Sequence, residues 1–301
     1  MKPLITLAIC TYNRQKFIGT CLQTILEQTL DNKLWELIVV DNNSNDKTAE
    51  IVKDFMTSQN KINVHYFFEA QQGLSFARNR CIKEAQGEIV AYIDDDVELE
   101  KDYLKIIHQF FNDFPHAIGL GGKTLPKFSE SEEPKWLSKY MDGIIGRSDK
   151  GNEFKKYTKS MKYPNGCNMT YKKSILIEAG GFNNSLKARA DDKYIFNQIK
   201  RISSEIYYKP TLFSLHNIDA ERLTYSSFKK IYLKSGNEER IRTFDEEGIW
   251  GQLKMFLNLA LKLVAGLFLF FIYIIKGNYL QGKYIFLSQW FTFLGFIKKS
   301  I

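Results

Sequence analysis

The sequence is short of cysteine, of repeats and of any leader-like start, and each shortage narrows the reading. Four cysteines, Cys10, Cys21, Cys81 and Cys167, occur without a CxxC spacing, which argues against CxxC-type metal or redox chemistry. Three of them fall in apolar, core-like segments and read as reduced, inert thiols of a cytosol-facing protein. The opening MKPLITLAICTYNRQ has only a short apolar run before polar residues and predicts no signal peptide. There is no internal repeat and no low-complexity segment. The basic residues are dispersed without aromatic-basic motifs, so nucleic acid is not an expected partner.

What is present is a globular composition with a surplus of rings. Of the 301 residues 44% are apolar and 25% charged, and Phe, Tyr and Trp together reach 14%. That suffices for one large domain with an appendage, or for two small ones. The net charge of +8 fits an anionic partner such as a phosphate-bearing ligand or an acidic lipid surface.

The runs LITLAIC (4–10), WELIVV (35–40), INVHYFF (62–68) and EIVAYI (88–93) are short, β-branched and aromatic. The first three are each followed by a polar loop and a helix-like pattern, for instance FIGTCLQTILEQ and LSFARNRCIKEA. This alternation predicts an α/β fold with a parallel sheet and right-handed crossovers. Ligands of such sheets bind beyond the carboxyl ends of the strands, where TYNR, DNNSND and DDD stand here. From about 124 to 162 the chain turns irregular and charged, the pattern of a mobile lid or substrate loop. YPNGCNMTYKKSILIEAGGF then predicts a strand and a short helix ending in Gly-Gly, followed by a helix at 191–201 and strands near 205–217.

Three adjacent aspartates, Asp94, Asp95 and Asp96, end the fourth run. Two carboxylates about 6 Å apart repel by about 3 kcal/mol at an effective dielectric near 20, so the cluster needs either free solvent or a cation. Side chains alternate along a strand, which lets Asp94 and Asp96 point the same way. Two such oxygens suit Mg2+ or Mn2+ bridging to a diphosphate; a solvated acidic turn is the competing reading. Asp41, ending the second run, can accept hydrogen bonds from a base or ribose, while Ser44 or Asp46 suits the cap of the helix near 47.

Taken in order, ITLAICTYNR, ELIVVDNNSND, GLSFARNRCIKEAQGEIVAYIDDD and PNGCNMTYKKSILIEAGGF resemble the family 2 glycosyltransferases, inverting nucleotide-sugar enzymes of the GT-A fold. The resemblance continues through HNIDAERLTYSSFKKIYLKSGNEER. It implies a Rossmann-type GT-A catalytic domain over 1–240, with a nucleotide-binding half at 1–100 and an acceptor half at 101–240. It places Thr11, Tyr12 and Arg14 against the nucleotide, Asp41 on the uracil or other base, and Arg78 on the phosphate side. Asp94 and Asp96 become the DxD pair that holds Mn2+ or Mg2+, with Asp96 as the direct ligand and Asp94 or Asp95 on the ribose. His216, heading HNIDAERLT, falls where the family often has a histidine near the metal or diphosphate; a structural hydrogen-bonding histidine is the alternative.

The family also implies a Glu-Asp pair at the head of a helix as the source of the catalytic base. Here ARADDKYIFNQI supplies Asp191 and Asp192, without the small glycines that commonly precede the pair. Asp192 is the expected base and Asp191 its support or an acceptor contact. A first helical turn stabilised by the macrodipole is the alternative.

At the other end, MFLNLALKLVAGLFLFFIYII (255–275) is long enough as a helix to cross about 30 Å of hydrocarbon. Its fourteen Leu, Phe, Ile and Val residues favour insertion by about 6 kcal/mol, and a central Lys262 opposes it by about 3 kcal/mol. Yet Lys254, Asn258 and Lys262 form one polar stripe, and Ser288, Thr292, Gly295 and Lys299 form another on a run too short to span. The region 241–301 therefore reads as two membrane-embedded amphipathic helices, a monotopic or re-entrant hairpin with basic ends on the cytosolic lipid surface. A water-soluble subdomain or dimer interface is the alternative.

The combined expectation is a membrane-associated, metal-dependent enzyme at the cytosolic face. It would move a sugar from a nucleotide-diphosphate sugar to a saccharide or lipid-linked acceptor in surface-polysaccharide or glycolipid assembly. Transfer onto a polyprenyl phosphate, whose nucleophile is already anionic, is the nearest rival. A nucleotidyltransferase and a non-catalytic nucleotide-sugar-binding adaptor are more distant ones.

Overall fold

The computed structural model describes residues 2–128, 132–158, 161–187 and 189–298. Strands β1 (Ile5–Thr11), β2 (Trp35–Asp41) and β4 (Ile89–Asp94) are buried almost end to end, as continuous apolar runs in a sheet covered on both faces must be. β3 (Asn63–Phe68) forms the edge. All four are parallel, β1 lying between β2 and β4, with β3 beyond β2. Helices α1 (Ile18–Leu26), α2 (Thr48–Ser58) and α3 (Leu74–Glu84) make the connections. In α1 the buried set Ile18, Cys21, Leu22 and Ile25 repeats at i, i+3, i+4 and i+7, the apolar stripe that docks a helix on a sheet. Leu7, Ile9, Leu37 and Val39 enter the core on one side of the sheet, and Ala8, Ile38 and Val40 the core on the other, following the two-residue period of a strand. The register sets Thr11 beside Asp41 and Cys10 beside Asp94, so the strands' carboxyl ends meet in one row.

After β4 come β5 (Val97–Leu99), α4 (Tyr103–Asp113), β6 (Gly119–Phe128), β7 (Lys155–Lys156), β8 (Met169–Lys172), α5 (Lys173–Glu178), α6 (Asp191–Ile202) and β9 (Ile206–Ile218). β8 pairs antiparallel with β4 and β6, and β9 antiparallel with β5 and β7. The sheet order is β3-β2-β1-β4-β8-β6-β9-β5. The α/β expectation thus holds, with the parallel pairing in the first four strands, those joined by crossover helices. What reads in sequence as strands near 205–217 is one long strand, β9. The segment expected to be irregular carries more order than its charge suggests: Thr124 bridges Ser148, and a 3-10 turn at Lys139–Ile144 buries Met141 and Ile144. Residues 129–131 and 159–160 of that segment lie outside the described residues.

The chain forms two compact units that interleave in sequence. The first comprises Met1–Lys127, Gly146–Lys187 and Asp191–Asn217, and holds the sheet. The second comprises Phe128–Ile145, Ala188–Ala190 and Ile218–Ile301. Its helices are α7 (Tyr225–Ile275) and α8 (Tyr279–Ile297), so a division at residue 240 falls inside α7. α7 breaks at Gly248 (φ 63°, ψ −151°), a backbone region that is essentially glycine's alone. There the chain doubles back: Gln252 Nε2 donates to Arg240 O at 3.2 Å. α7 therefore has two arms, 225–247 and 249–275. Phe228, Ile285 and Phe291 join Leu137, Met141 and Ile144 in this unit's core. Among the described residues α7 is the one helix long and apolar enough to cross a membrane by length and composition. Lys299, the last residue of the second polar stripe, lies outside the described residues.

Candidate active site

β4 ends at Asp94, and the chain turns through Asp95 and Asp96 before entering β5. Strand geometry stops at the first aspartate, so the alternation that would aim Asp94 and Asp96 the same way does not carry through. The structure instead divides the three carboxylates between two groups.

The first group gathers around Asp96. Arg14 Nε lies 3.2 Å from Asp95 Oδ1, and its Nη2 lies 3.4 Å from Asp96 Oδ2. His216 Nε2 is 3.2 Å from Asp96 Oδ1. The sheet puts the histidine there: β9 pairs with β5 so that His216 stands opposite Val97, and Asn217 N donates to Asp96 O at 2.8 Å. Gly146, at φ 65°, backs the imidazole so closely that a Cβ would come within 2.7 Å of His216 Nδ1. Burial pushes Asp95 up to about 7, Arg14 pulling down and Asp96 pushing further up.

The second group is built on Arg78, which α3 presents and which is 3% exposed. Its Nη1 pairs with Asp191, and its Nη2 lies 3.4 Å from Asp94 Oδ1. Burial works against the guanidinium charge, but Asp191 and Asp94 outweigh it and raise the pKa. Asp94 Oδ2 accepts a hydrogen bond from Cys167 Sγ at 2.9 Å. Asp192 is fixed by two backbone amides, Lys193 N to Oδ1 at 2.7 Å and Gly166 N to Oδ2 at 3.3 Å. Burial and the neighbouring Asp191 push Asp192 up to about 7, against the pull of Arg78. Both aspartates also sit in the first turn of α6, whose last turn carries Lys200 and Arg201. That placement is the one the macrodipole favours, and it is compatible with a chemical role for the pair. Ala190, directly before the pair, has φ 62°. The backbone keeps a glycine-like conformation although the glycine is absent.

The residues expected on the nucleotide side stand along the row of strand ends. Asp41 is buried; its Oδ1 accepts from Ser44 N at 2.9 Å and its Oδ2 from Tyr66 OH at 2.8 Å. Thr11 is buried at the neighbouring strand end, while Tyr12 is exposed. The N-cap position of α2 is Lys47, not Ser44 or Asp46; Asp46 Oδ1 accepts from Thr48 N, the first residue of α2, at 2.9 Å, and Ser44 Oγ accepts from Asn13 N at 2.9 Å. Asn42 ties the following loop, its side chain bonding Glu69 O, Gln71 O and Gly73 N.

Sequence reasoning missed Cys167, Gly166 and Tyr66. All four cysteines in fact stand close to the end of β4. Cys10 is the register partner of Asp94, Cys81 Sγ lies 3.7 Å from Cys10 Sγ, and Cys21 Sγ reaches Asp94 O at 3.8 Å. The signal for Cys167 and Gly166 was the polar PNGCN directly before a strand, a place where side chains can reach the sheet's ligand edge.

Among the described residues no group of three or more His, Cys, Asp or Glu side chains forms a ready-made metal centre. Asp96 and His216 nonetheless fit as part of one. Two ligands about 2.1 Å from an octahedral ion and at right angles to each other are about 3 Å apart, and the oxygen–nitrogen pair is separated by 3.2 Å. A hard carboxylate with an imidazole suits Mn2+. Asp94, turned toward Arg78 and Cys167, stands in the other group.

Comparison with known proteins bears on the family and the fold. The sequence profile of "Glycosyl transferase family 2" matches residues 6–180. The chain is 22% identical over 229 residues to the glucosyl-dolichyl phosphate glucuronosyltransferase of Haloferax volcanii, a match covering 75% of this chain and 68% of that one. It is 32% identical over 124 residues to the putative teichuronic acid biosynthesis glycosyltransferase TuaG of Bacillus subtilis, covering 41% of this chain and 48% of the relative. Among solved structures, S. aureus TarS 1–349 with UDP-GlcNAc superposes with a TM-score of 0.59 at 20% identity over 83% of this chain and 69% of that one. The mannosyltransferase PcManGT of Pyrobaculum calidifontis, with GDP-Man and Mn2+, gives 0.64 at 16% identity over 96% and 86%. At these identities the structural likeness establishes the fold, GT-A. The profile covers more than half of the sequence, and on that ground this chain belongs to glycosyl transferase family 2 and is a glycosyltransferase.

Proposed function

We propose that the protein transfers a sugar, with inversion, from a nucleotide-diphosphate sugar of the UDP type to a hydroxyl of a saccharide or lipid-linked acceptor, at a membrane surface where polysaccharide or glycolipid is assembled. Asp192 is the base that takes the acceptor proton, and Asp191 holds Arg78. Arg78 and Arg14 face the donor's diphosphate. Thr11, Tyr12 and Asp41 receive the nucleoside, with Asp95 or Asp94 toward the ribose. Asp96 and His216 would hold Mn2+ or Mg2+, which when bound neutralises charge gathering on the departing diphosphate.

The observation that carries the reading is the setting of Asp192. Two amides fix its carboxylate, and burial with Asp191 raises its proton affinity to about 7, a value matched to general-base work near neutrality. A base so tuned favours a hydroxyl acceptor. A polyprenyl phosphate arrives already ionised and would leave Asp192 without a proton to take. The Haloferax relative's name, a transferase acting on glucosyl-dolichyl phosphate, supports a sugar hydroxyl on a lipid carrier. The test is purified protein with Mn2+ and a panel of nucleotide sugars, measuring binding and slow hydrolysis. Selective hydrolysis of one donor to the nucleoside diphosphate is expected, and release of pyrophosphate from nucleoside triphosphates would overturn the reading in favour of nucleotidyl transfer.

A further inference from the structure

We infer that the second arm of α7 does not cross a bilayer but lies flat in one leaflet of an anionic membrane, immersed along one face. The inference deepens the membrane location proposed above and rests on it. The arm spans 249–275, about 40 Å at 1.5 Å per residue. Trp250, Leu253, Leu257, Leu261, Phe268 and Ile275 recur at helical spacing along one side and are bare; Leu261 is 71% and Phe268 67% exposed.

The opposite side of the arm is covered along its length by α8. Phe256 meets Phe293 with ring centroids 5.4 Å apart, a Cβ on Gly266 would lie 3.1 Å from Gln289 Cγ, and Phe270 meets Tyr279 at 5.9 Å. α8 is itself covered on its far side. Phe228 of the first arm packs on Tyr284 at 4.9 Å, Gly236 of that arm sits against the carbonyl of Thr292, and Trp136 stacks on Tyr284 at 4.5 Å. The first arm is rich in charge, KSGNEERIRTFDEE over 234–247. Standing the second arm upright through about 30 Å of hydrocarbon would carry α8 and this charged arm in with it. Lying flat immerses only the bare face.

Charge identifies the occupant. Residues 249–298 contain no acidic residue and five lysines, at 254, 262, 276, 283 and 298. Lys254, Asn258 and Lys262 follow one another at helical spacing beside the bare face, the depth at which lysines reach lipid phosphates from a helix in the interface, with Lys254 also paired to Glu247 of the first arm at 2.9 Å. A second copy docked face to face would bring together two arms of like charge, since residues 249–298 carry lysines and no acidic residue on either copy. An anionic leaflet complements them.

The test uses purified full-length chain on vesicles of equal parts phosphatidylcholine and phosphatidylglycerol. Nitroxide labels are placed one at a time by Leu257→Cys, Leu261→Cys, Val264→Cys and Phe268→Cys, with the unsubstituted chain as the labelling background. A common depth for all four, about 5–10 Å below the phosphates, is the expected result. Depth that grows by about 1.5 Å per residue toward the midplane would overturn it in favour of a spanning helix. Labels shielded from lipid in a species of doubled mass would overturn it in favour of a second copy. Leu261→Glu and Phe268→Glu should each weaken vesicle binding by about tenfold or more while far-ultraviolet dichroism is unchanged. Lys262→Gln, which leaves the apolar face whole, should weaken it by about fivefold on anionic but not on neutral vesicles. Donor hydrolysis followed on the same samples separates the two readings, since its loss at normal label depth counts against sugar transfer and not against the flat helix.

Discussion

The thiol of Cys167 donates to Asp94 Oδ2 at 2.9 Å, and this bond, with Arg78 Nη2 at 3.4 Å from Oδ1, turns the first aspartate of the DDD run away from the other two. Asp94 is thereby tied to the group that contains Asp191 and Asp192, while Asp96 is left to His216 and Arg14. A cluster of three negative charges is resolved by giving each an opposite or hydrogen-bonding partner, rather than by one cation serving all three.

Removing the thiol should therefore affect the donor rather than the fold. Cys167→Ala is expected to raise KM for the nucleotide sugar by about tenfold, the effect of losing one weak donor to a charged group. Cys167→Ser keeps a donor and should restore most of it. Equal KM in all three proteins would show that Asp94 is oriented by Arg78 alone.

Arg78 and Asp191 form a buried pair, and breaking it should cost stability as well as activity. Asp191→Ala deprives the buried guanidinium of the carboxylate it pairs with at Nη1 and is expected to destabilise by about 3–5 kcal/mol, read as a lower midpoint in urea at unchanged slope. Gly166→Ala attacks the same residue sterically, since its Cβ would lie 2.6 Å from Arg78 Nη2. It should lose transfer while unfolding close to the parent midpoint.

The parallel strands, their helices and the row of strand-end polar loops were legible because each rests on a local period: continuous apolar runs for β1, β2 and β4, and the i, i+3, i+4, i+7 stripe of α1. The partition of Asp94 from Asp96 was not, because it depends on a turn closing between β4 and β5 and on β9 arriving antiparallel to β5 from more than a hundred residues away. Cys167 was hidden for a related reason. Four scattered cysteines give no spacing signal, and only the fold brings them to one strand end. The doubling back of α7 was also illegible as a hairpin: Gly248 is a single glycine inside a continuous helical pattern, and nothing local shows that it takes a positive φ.

Metal-dependent donor binding should require both members of the oxygen–nitrogen pair. Asp96→Ala and His216→Ala are each expected to abolish the gain in nucleotide-sugar affinity that Mn2+ gives, measured calorimetrically with and without chelator. Gly146→Ala should mimic the histidine variant in part, because the added methyl presses on His216 Nδ1 from a backbone at φ 65°. Binding that ignores chelator in the parent would remove the metal role altogether.

The pH dependence of turnover should be that of Asp192. Burial and Asp191 raise its pKa to about 7, and a general base works only when deprotonated, so kcat should fall about tenfold per pH unit below 7 and level off above it. Donor affinity should change far less over the same range. Asp192→Asn keeps the shape and the amide contacts from Gly166 and Lys193 but removes the basicity; a loss of about two orders of magnitude or more in kcat is expected, with the pH limb abolished. The stability effect has the opposite sign. A carboxyl whose folded pKa exceeds its unfolded value favours the folded state below about 4, and this contribution is lost as pH rises through about 7. Free of ligands, Asp192→Asn should then be at least as stable as the parent at pH 8, although it is inactive. A variant that is inactive and also less stable at pH 8 would mark Asp192 as a structural carboxylate. Full activity in Asp192→Asn with none in Asp191→Asn would move the base to Asp191, and near-parent activity in both would point to an acceptor that arrives already ionised.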